Sequence, residues 1–134
     1  LTVDEVAEIL LEKRIPCVPV LDESNKLMGI LTRSDILKVM ISLTGMEKRG
    51  VDFGFEVADQ PGSIKAITDV IRTYNGRIAS ILISYERAPV GFRNVFIRIF
   101  QIDMKRLGEL KKELTQKTKL LYILDFLGKN REIF

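Results

Sequence analysis

The stretch FGFEVADQPGSIKAITDVIRTYNG, residues 53–76, joins two periodicities across one break. Phe53, Phe55 and Val57 alternate with Asp52, Gly54 and Glu56, the period-two pattern of a half-buried strand. ADQPGS then turns the chain. Pro61 suits the first turn of a helix, where its missing amide costs little. Ile64, Ile67, Ile71 and Tyr74 share one helical face, and Asn75-Gly76 supplies a left-handed stop.

Toward the C-terminus the rhythm continues. Ala79, Ile81, Ile83 and Tyr85 alternate with Ile78, Ser80, Leu82 and Ser84 on a second strand. RAPVGFR, residues 87–93, is a loop, and NVFIRIFQI, residues 94–102, is a third strand. Leu107, Leu110 and Leu114 mark another helix. Leu120, Tyr122, Leu124 and Phe126 mark a last strand. Strand, helix, strand, strand, helix, strand is the ferredoxin-like order. The third strand is apolar on both sides: Val95, Ile97 and Ile99 on one, Phe96 and Phe100 on the other. Leu121 and Ile123 are expected to repeat this on the fourth. A sheet with helices on one side should be polar on the other, so a second copy of the chain is the expected cover.

Toward the N-terminus the pattern stops at TGMEKRG, residues 44–50, which has no periodicity and reads as a linker. Before it, Thr2-Val3-Asp4-Glu5 forms a capping box. Val3, Val6, Ala7, Leu10 and Leu11 then fall on one helical face, and Pro16 ends the helix near Arg14. CVPVLD reads as a largely buried strand, ESNK as a turn and LMGILT as a second strand. Gly29 suggests a close backbone approach. Ile36, Leu37, Met40 and Leu43 mark a second amphipathic helix. In GILTRSD, residues 29–35, Thr32 and Asp35 stand three apart where that helix starts. They can cap it, or they can face a ligand, since a helix N-terminus offers free amides to an anion.

Composition narrows the function classes. With 134 residues, 46% hydrophobic and 29% charged, the chain is a folded protein of one or two small domains. The single cysteine, Cys17, excludes an internal disulfide, and its apolar surroundings suit a buried, inert thiol. The absence of histidine removes His-based acid–base chemistry and most zinc sites. No paired carboxylates, phosphate-binding loop or dinucleotide fingerprint is present. No apolar run approaches the ~20 residues of a membrane helix, and no secretory pattern opens the chain. It begins at Leu1, already at a helix start, as expected of a piece of a longer protein. The net charge of +3 divides into −1 for residues 1–50 and +4 for residues 51–134. Arg87, Arg93 and Arg98, interleaved with Phe92 and Phe96, could suggest RNA. The RNA-binding consensus of this fold is absent and the charge is modest, so nucleic acid is not the expected partner.

Residues 2–37 resemble a CBS domain. The matching features are Thr2-Val3 opening the helix, Pro19-Val20 in the strand, Asp22 before the turn, and Gly29 through Asp35. The short N-terminal strand of a full unit is missing. Residues 51–126 resemble an ACT domain, with ADQPGSI matching that family's strand-to-helix turn. Together the two are similar to acetoin-utilisation (AcuB-like) CBS–ACT regulatory proteins, with only the second CBS unit represented. The implied fold is α+β: a partial CBS unit over 1–43, a linker over 44–50, a ferredoxin-like ACT domain over 51–127 and a C-terminal tail over 128–134.

The resemblance implies a cytoplasmic regulatory module, not an enzyme, with links to acetoin utilisation. It implies nucleotide binding at Thr2, Val18, Thr32, Arg33 and Asp35, with AMP, ATP or S-adenosylmethionine as the regulatory ligand and no resident cofactor or metal. The hydroxyl would face phosphate and the carboxylate would accept from ribose hydroxyls. It also implies an amino-acid site at Asp59, Gln60, Pro61, Gly62, Ser63 and Ile64, in a homodimer or larger oligomer. The alternative for the second site is a plain Pro-Gly turn, and for the whole chain an oligomerisation scaffold without ligand.

Overall fold

Thr2 starts the first helix through the expected capping box: the Glu5 amide donates to Thr2 Oγ1 (3.4 Å), and the Thr2 amide donates to Glu5 Oε2 (2.6 Å). The computed structural model describes residues 1–134, which form two units, Leu1–Leu43 and Thr44–Phe134. The first contains α1 (Val3–Glu12), β1 (Cys17–Leu21), β2 (Leu27–Thr32) and α2 (Arg33–Leu43). β1 and β2 form an antiparallel hairpin. Its turn is held by Asp22, whose Oδ1 accepts from the Ser24 and Lys26 amides, both at 2.9 Å.

Two expectations fail in this unit. β1, read as largely buried, is partly or fully exposed along its length. Only Val6 and Leu10 are buried among the apolar residues of the unit, because a two-stranded hairpin has too little surface to enclose two helices. Gly29 makes no close approach either: nothing lies within 4 Å of where a Cβ would stand.

The second unit contains β3 (Val51–Ala58), α3 (Ser63–Thr73), β4 (Arg77–Ser84), β5 (Phe92–Phe100), α4 (Leu107–Lys117), β6 (Lys119–Asp125) and β7 (Asn130–Ile133). The sheet runs β4-β5-β3-β6-β7, antiparallel throughout. The βαββαβ order with β3 and β5 central is ferredoxin-like, and the chain is α+β. Val51, Phe53, Phe55 and Val57 from β3, Val95, Ile97 and Ile99 from β5, Ile67 and Ile71 from α3, and Leu110 and Leu114 from α4 form one buried core. Asn75 takes the left-handed conformation that ends α3 (φ +57°).

Four details depart from the sequence reading. Pro61 precedes the helix instead of lying in its first turn; Gly62, at φ +89°, is the cap residue and α3 begins at Ser63. Residues 128–134, expected as a tail, include β7, paired with β6 around the turn at Asp125–Lys129. Residues 44–50, expected as a linker, form a 3₁₀ turn at Met46–Lys48 and lie against the sheet: Ser80 Oγ donates to the Thr44 carbonyl at 2.9 Å. Two bulges also change which side chains share a face. In β6, Gly54 pairs with Tyr122 but Phe55 pairs with Leu120, leaving Leu121 as the extra residue. Leu120 and Ile123 therefore both enter the core, and Tyr122 stands on the open face, stacked on Phe96 at 6.1 Å between ring centroids. Ile123 does not belong to the open face. In β4 the bulge at Ala79 puts Ile78, Ile81 and Ile83 opposite Ile99, Ile97 and Val95, with Leu82 opposite Phe96.

Candidate functional site

The start of α2 is a second, closed capping box. Asp35 Oδ2 accepts from the Thr32 amide (2.9 Å) and the Thr32 hydroxyl (2.8 Å), and the Asp35 amide donates to Thr32 Oγ1 (3.2 Å). These bonds arise because Thr32 ends β2 one residue before the helix, which brings position 35 back over it. The Thr32 amide, then its hydroxyl, hold the Asp35 carboxyl below its ordinary pKa. The second carboxylate oxygen faces Lys38 at 3.7 Å.

Arg33 is pinned to the segment before β1. Its Nε donates to the Ile15 carbonyl (3.0 Å) and its amide to the Pro16 carbonyl (3.1 Å). The structure thus gathers Thr32, Arg33 and Asp35 at one helix N-terminus. Thr2 is engaged with Glu5 at the start of α1, and Val18 stands opposite Leu31 in the hairpin.

The second candidate is the turn between β3 and α3. The Asp59 amide donates to the Gly91 carbonyl (2.9 Å), which ties the turn to the β4–β5 loop. The Ser63 hydroxyl donates to the Gln60 carbonyl (3.0 Å), and no side chain caps α3. Pro61 and Gly62 shape the bend, and Ile64 sends its side chain toward the core. Behind the turn lies Arg93, opposite Val57 in the sheet. Its Nη2 donates to Ser63 Oγ (3.3 Å) and its Nε lies 3.7 Å from Asp59 Oδ1, too far for a hydrogen bond. That Nε is buried without a hydrogen-bond partner. Tyr85 donates its hydroxyl proton to Asp59 Oδ1 (3.2 Å).

A cavity of about 490 Å³ opens at this end of the sheet, lined by Gln60, Ser63, Ala66 and Phe92 together with Lys117 and Lys119. Lys119 faces Glu56 at 3.3 Å and Lys117 faces Glu113 at 3.4 Å, so both cations have counter-charges. Nothing in the sequence near Asp59 marks Arg93 or Tyr85 as members of this site. Strand pairing would have exposed Arg93: once β3 and β5 are aligned, position 93 falls beside Val57, two residues before Asp59. Arg98 stands opposite Asp52 and Arg93 opposite Val57, on opposite faces of the sheet. No three or more Cys, Asp or Glu side chains converge as a metal site, and no helix is long and apolar enough to cross a membrane.

Residues 1–42 match the family model of the CBS domain. Among solved structures, the chain is similar to the ACT domain of the GTP pyrophosphokinase of Chlorobium tepidum, with 20% identity over 61% of this chain and 95% of that one, at a TM-score of 0.42. It is also similar to a protein of Bacteroides thetaiotaomicron, with 20% identity over 90% of this chain and 83% of that one, at a TM-score of 0.41. The ferredoxin-like assignment rests on the strand order itself.

Proposed function

We propose that the chain is a regulatory module that senses small ligands, with an adenine nucleotide at the start of α2 and an amino acid at the β3–α3 turn. The observation that carries the reading is the Thr32–Asp35 box within the segment that matches a CBS domain. CBS domains are ligand-sensing rather than catalytic modules. A box of this kind can exchange its internal partners for a ligand. Asp35 would release the Thr32 hydroxyl to a phosphate oxygen and accept from a ribose diol instead. Arg33 would stay on Ile15 and orient the loop. AMP, ATP and S-adenosylmethionine share the ribose that this chemistry reads. At the second site, the buried Nε of Arg93 and the uncapped start of α3 both favour a carboxylate. By resemblance alone, the setting would be the cytoplasm and the regulated process acetoin utilisation.

The unit needs company. β4 is a free sheet edge with Ile81, Leu82 and Ile83 exposed, so antiparallel pairing with β4 of a second copy would cover both rows. The nucleotide reading likewise calls for a second CBS unit against the first. The scaffold alternative draws on one fact: the Thr32–Asp35 box is already satisfied internally.

Calorimetric titration of AMP, ATP, S-adenosylmethionine and the amino acids into the protein separates the two. A ligand that binds wild type and binds Asp35→Ala roughly ten- to a hundredfold more weakly supports sensing. Equal affinity would leave Asp35 a cap, and no heat with any of them would favour the scaffold.

A further inference from the structure

On the open face of the second unit a short strap lies over a buried charge. Ser80 holds its first residue by the Thr44 carbonyl. Gly45 follows at φ +65°, with Ala79 Cβ only 2.8 Å from where its own Cβ would be. Met46 then places its sulfur 3.1 Å from Nη1 of Arg98, and Lys48 lies over the Phe100 ring at 5.3 Å. Arg49 is left-handed (φ +44°). Gly50 anchors the far end: Ile99 O would sit 1.6 Å from a Cβ there, and the Gly50 carbonyl accepts from the Phe126 amide at 3.2 Å.

Beneath this strap the Arg98 side chain is 5% exposed, with Nη2 on Asp52 Oδ2 at 3.1 Å and the Phe126 ring 4.9 Å away. A guanidinium carries five donors. Here one carboxylate oxygen and a thioether, a weak acceptor, serve them, and Nε is buried with no partner. Burial also pushes the Asp52 carboxyl up from its ordinary value, against the pull of Arg98.

We propose that residues 44–49 are a latch that closes over the Arg98–Asp52 pair and opens locally, without unfolding of the sheet. Closing gains Met46 packing, the Ser80 bond and the Lys48–Phe100 contact. Opening returns water to the starved donors of Arg98, which is worth much to a buried charge. Opening therefore costs less than it would for a solidly packed segment. The covalent path from α2 runs through this strap. Closed, it fixes residue 44 to the sheet through Ser80. The latch stands on these contacts alone and does not depend on either ligand site.

Amide hydrogen exchange on the full chain tests it. The probes are the Lys48 and Arg49 amides, which donate to Gly45 and Met46 carbonyls. They should exchange faster than core amides of β3 and β5, by an opening insensitive to denaturant. Gly45→Val, which adds strain and a clash with Ala79, should raise their exchange by about tenfold with the core unchanged. Ser80→Ala, a milder change on the edge strand, should act in the same direction and stands in if Gly45→Val does not fold. The double variant Asp52→Asn/Arg98→Met removes the charge that seeks water and should slow the probes below wild type. Exchange of Lys48 and Arg49 only in step with the core would overturn the latch. So would probes unmoved by the strap variants, or a double variant that exchanges faster.

Discussion

The two units use similar elements to opposite ends. In the second, α3 and α4 cover one face of a five-stranded sheet, and Phe53, Phe55, Ile97, Ile99 and Leu110 are fully shielded. In the first, α1 and α2 face a two-stranded hairpin, and Leu11, Ile30, Leu37, Met40 and Leu43 remain exposed. Both sequences are amphipathic, so amphipathicity alone does not make a core. A sheet wide enough to be covered does, because buried apolar area must offset the conformational entropy of ordering the chain.

Separating the units is the strongest way to break this comparison. Residues 44–134 alone should unfold cooperatively, with the several kcal/mol of an ordinary small domain. They should sediment as a dimer that Ile83→Lys converts to a folded monomer. Residues 1–43 alone should be unfolded or self-associated. Dispersed amide resonances from a monomer of 1–43 would show that the first unit needs no partner surface.

Within the second unit, the β6 bulge sets the next largest effect. Ile123→Ala should cost about 2–4 kcal/mol in chemical denaturation, as for other large-to-small core changes. Leu121→Ala, at the extra residue, should cost clearly less. A reversal of that order would place the register one residue away and restore plain alternation.

A smaller effect distinguishes the open face from ordinary surface. Burial, with the Asp52 charge adding to it, pushes the Tyr122 hydroxyl up to about 12. Because the folded value exceeds the unfolded one near 10, the neutral phenol's contribution is intact below pH 10. It is lost as pH rises from there toward 12, by less than the roughly 2–3 kcal/mol of an unscreened shift, because solvent screens this half-buried hydroxyl. Stability measured against pH should fall over that range in wild type and less steeply in Tyr122→Phe. Parallel curves would mean that Tyr122 is hydrated.

At the start of α2 the expected change is smallest. The lowered Asp35 value means that its stabilisation is present above the unfolded carboxylate pKa and fades as pH falls through the folded one. Asp35→Asn should remove that acid dependence, read as a slight convergence of melting temperatures at low pH.

Much of this was legible in the residues. Period two at 53–57 and 95–99, period 3.6 at 64–74 and 107–114, and the stops at Pro16 and Asn75 are local properties, so they predict the βαββαβ order without any partner strand. Thr2-Glu5 and Thr32-Asp35 were legible for the same reason: a cap bonds three residues away. The strap, β7 and the bulges were not. Residues 44–50 have no periodicity, and their order comes from Ser80, Ala79 and Arg98, which are distant in sequence. β7 is four residues long, too short to show an alternation, and exists because β6 offers an edge.

Local pattern therefore determined the strands and helices of both units other than β7, though not every boundary. Tertiary pairing alone decided which side chains share a face. One extra residue at Leu121 moves Ile123 into the core and Tyr122 onto the open face, and no pattern within β6 reveals it, since a bulge is a mismatch between two strands. The same holds for Arg93 and Arg98. As sequence they are two cations on one strand. In the sheet one stands behind the Asp59–Ser63 turn and the other is sealed beside Asp52, because cross-strand neighbours, not chain neighbours, set a charge's surroundings.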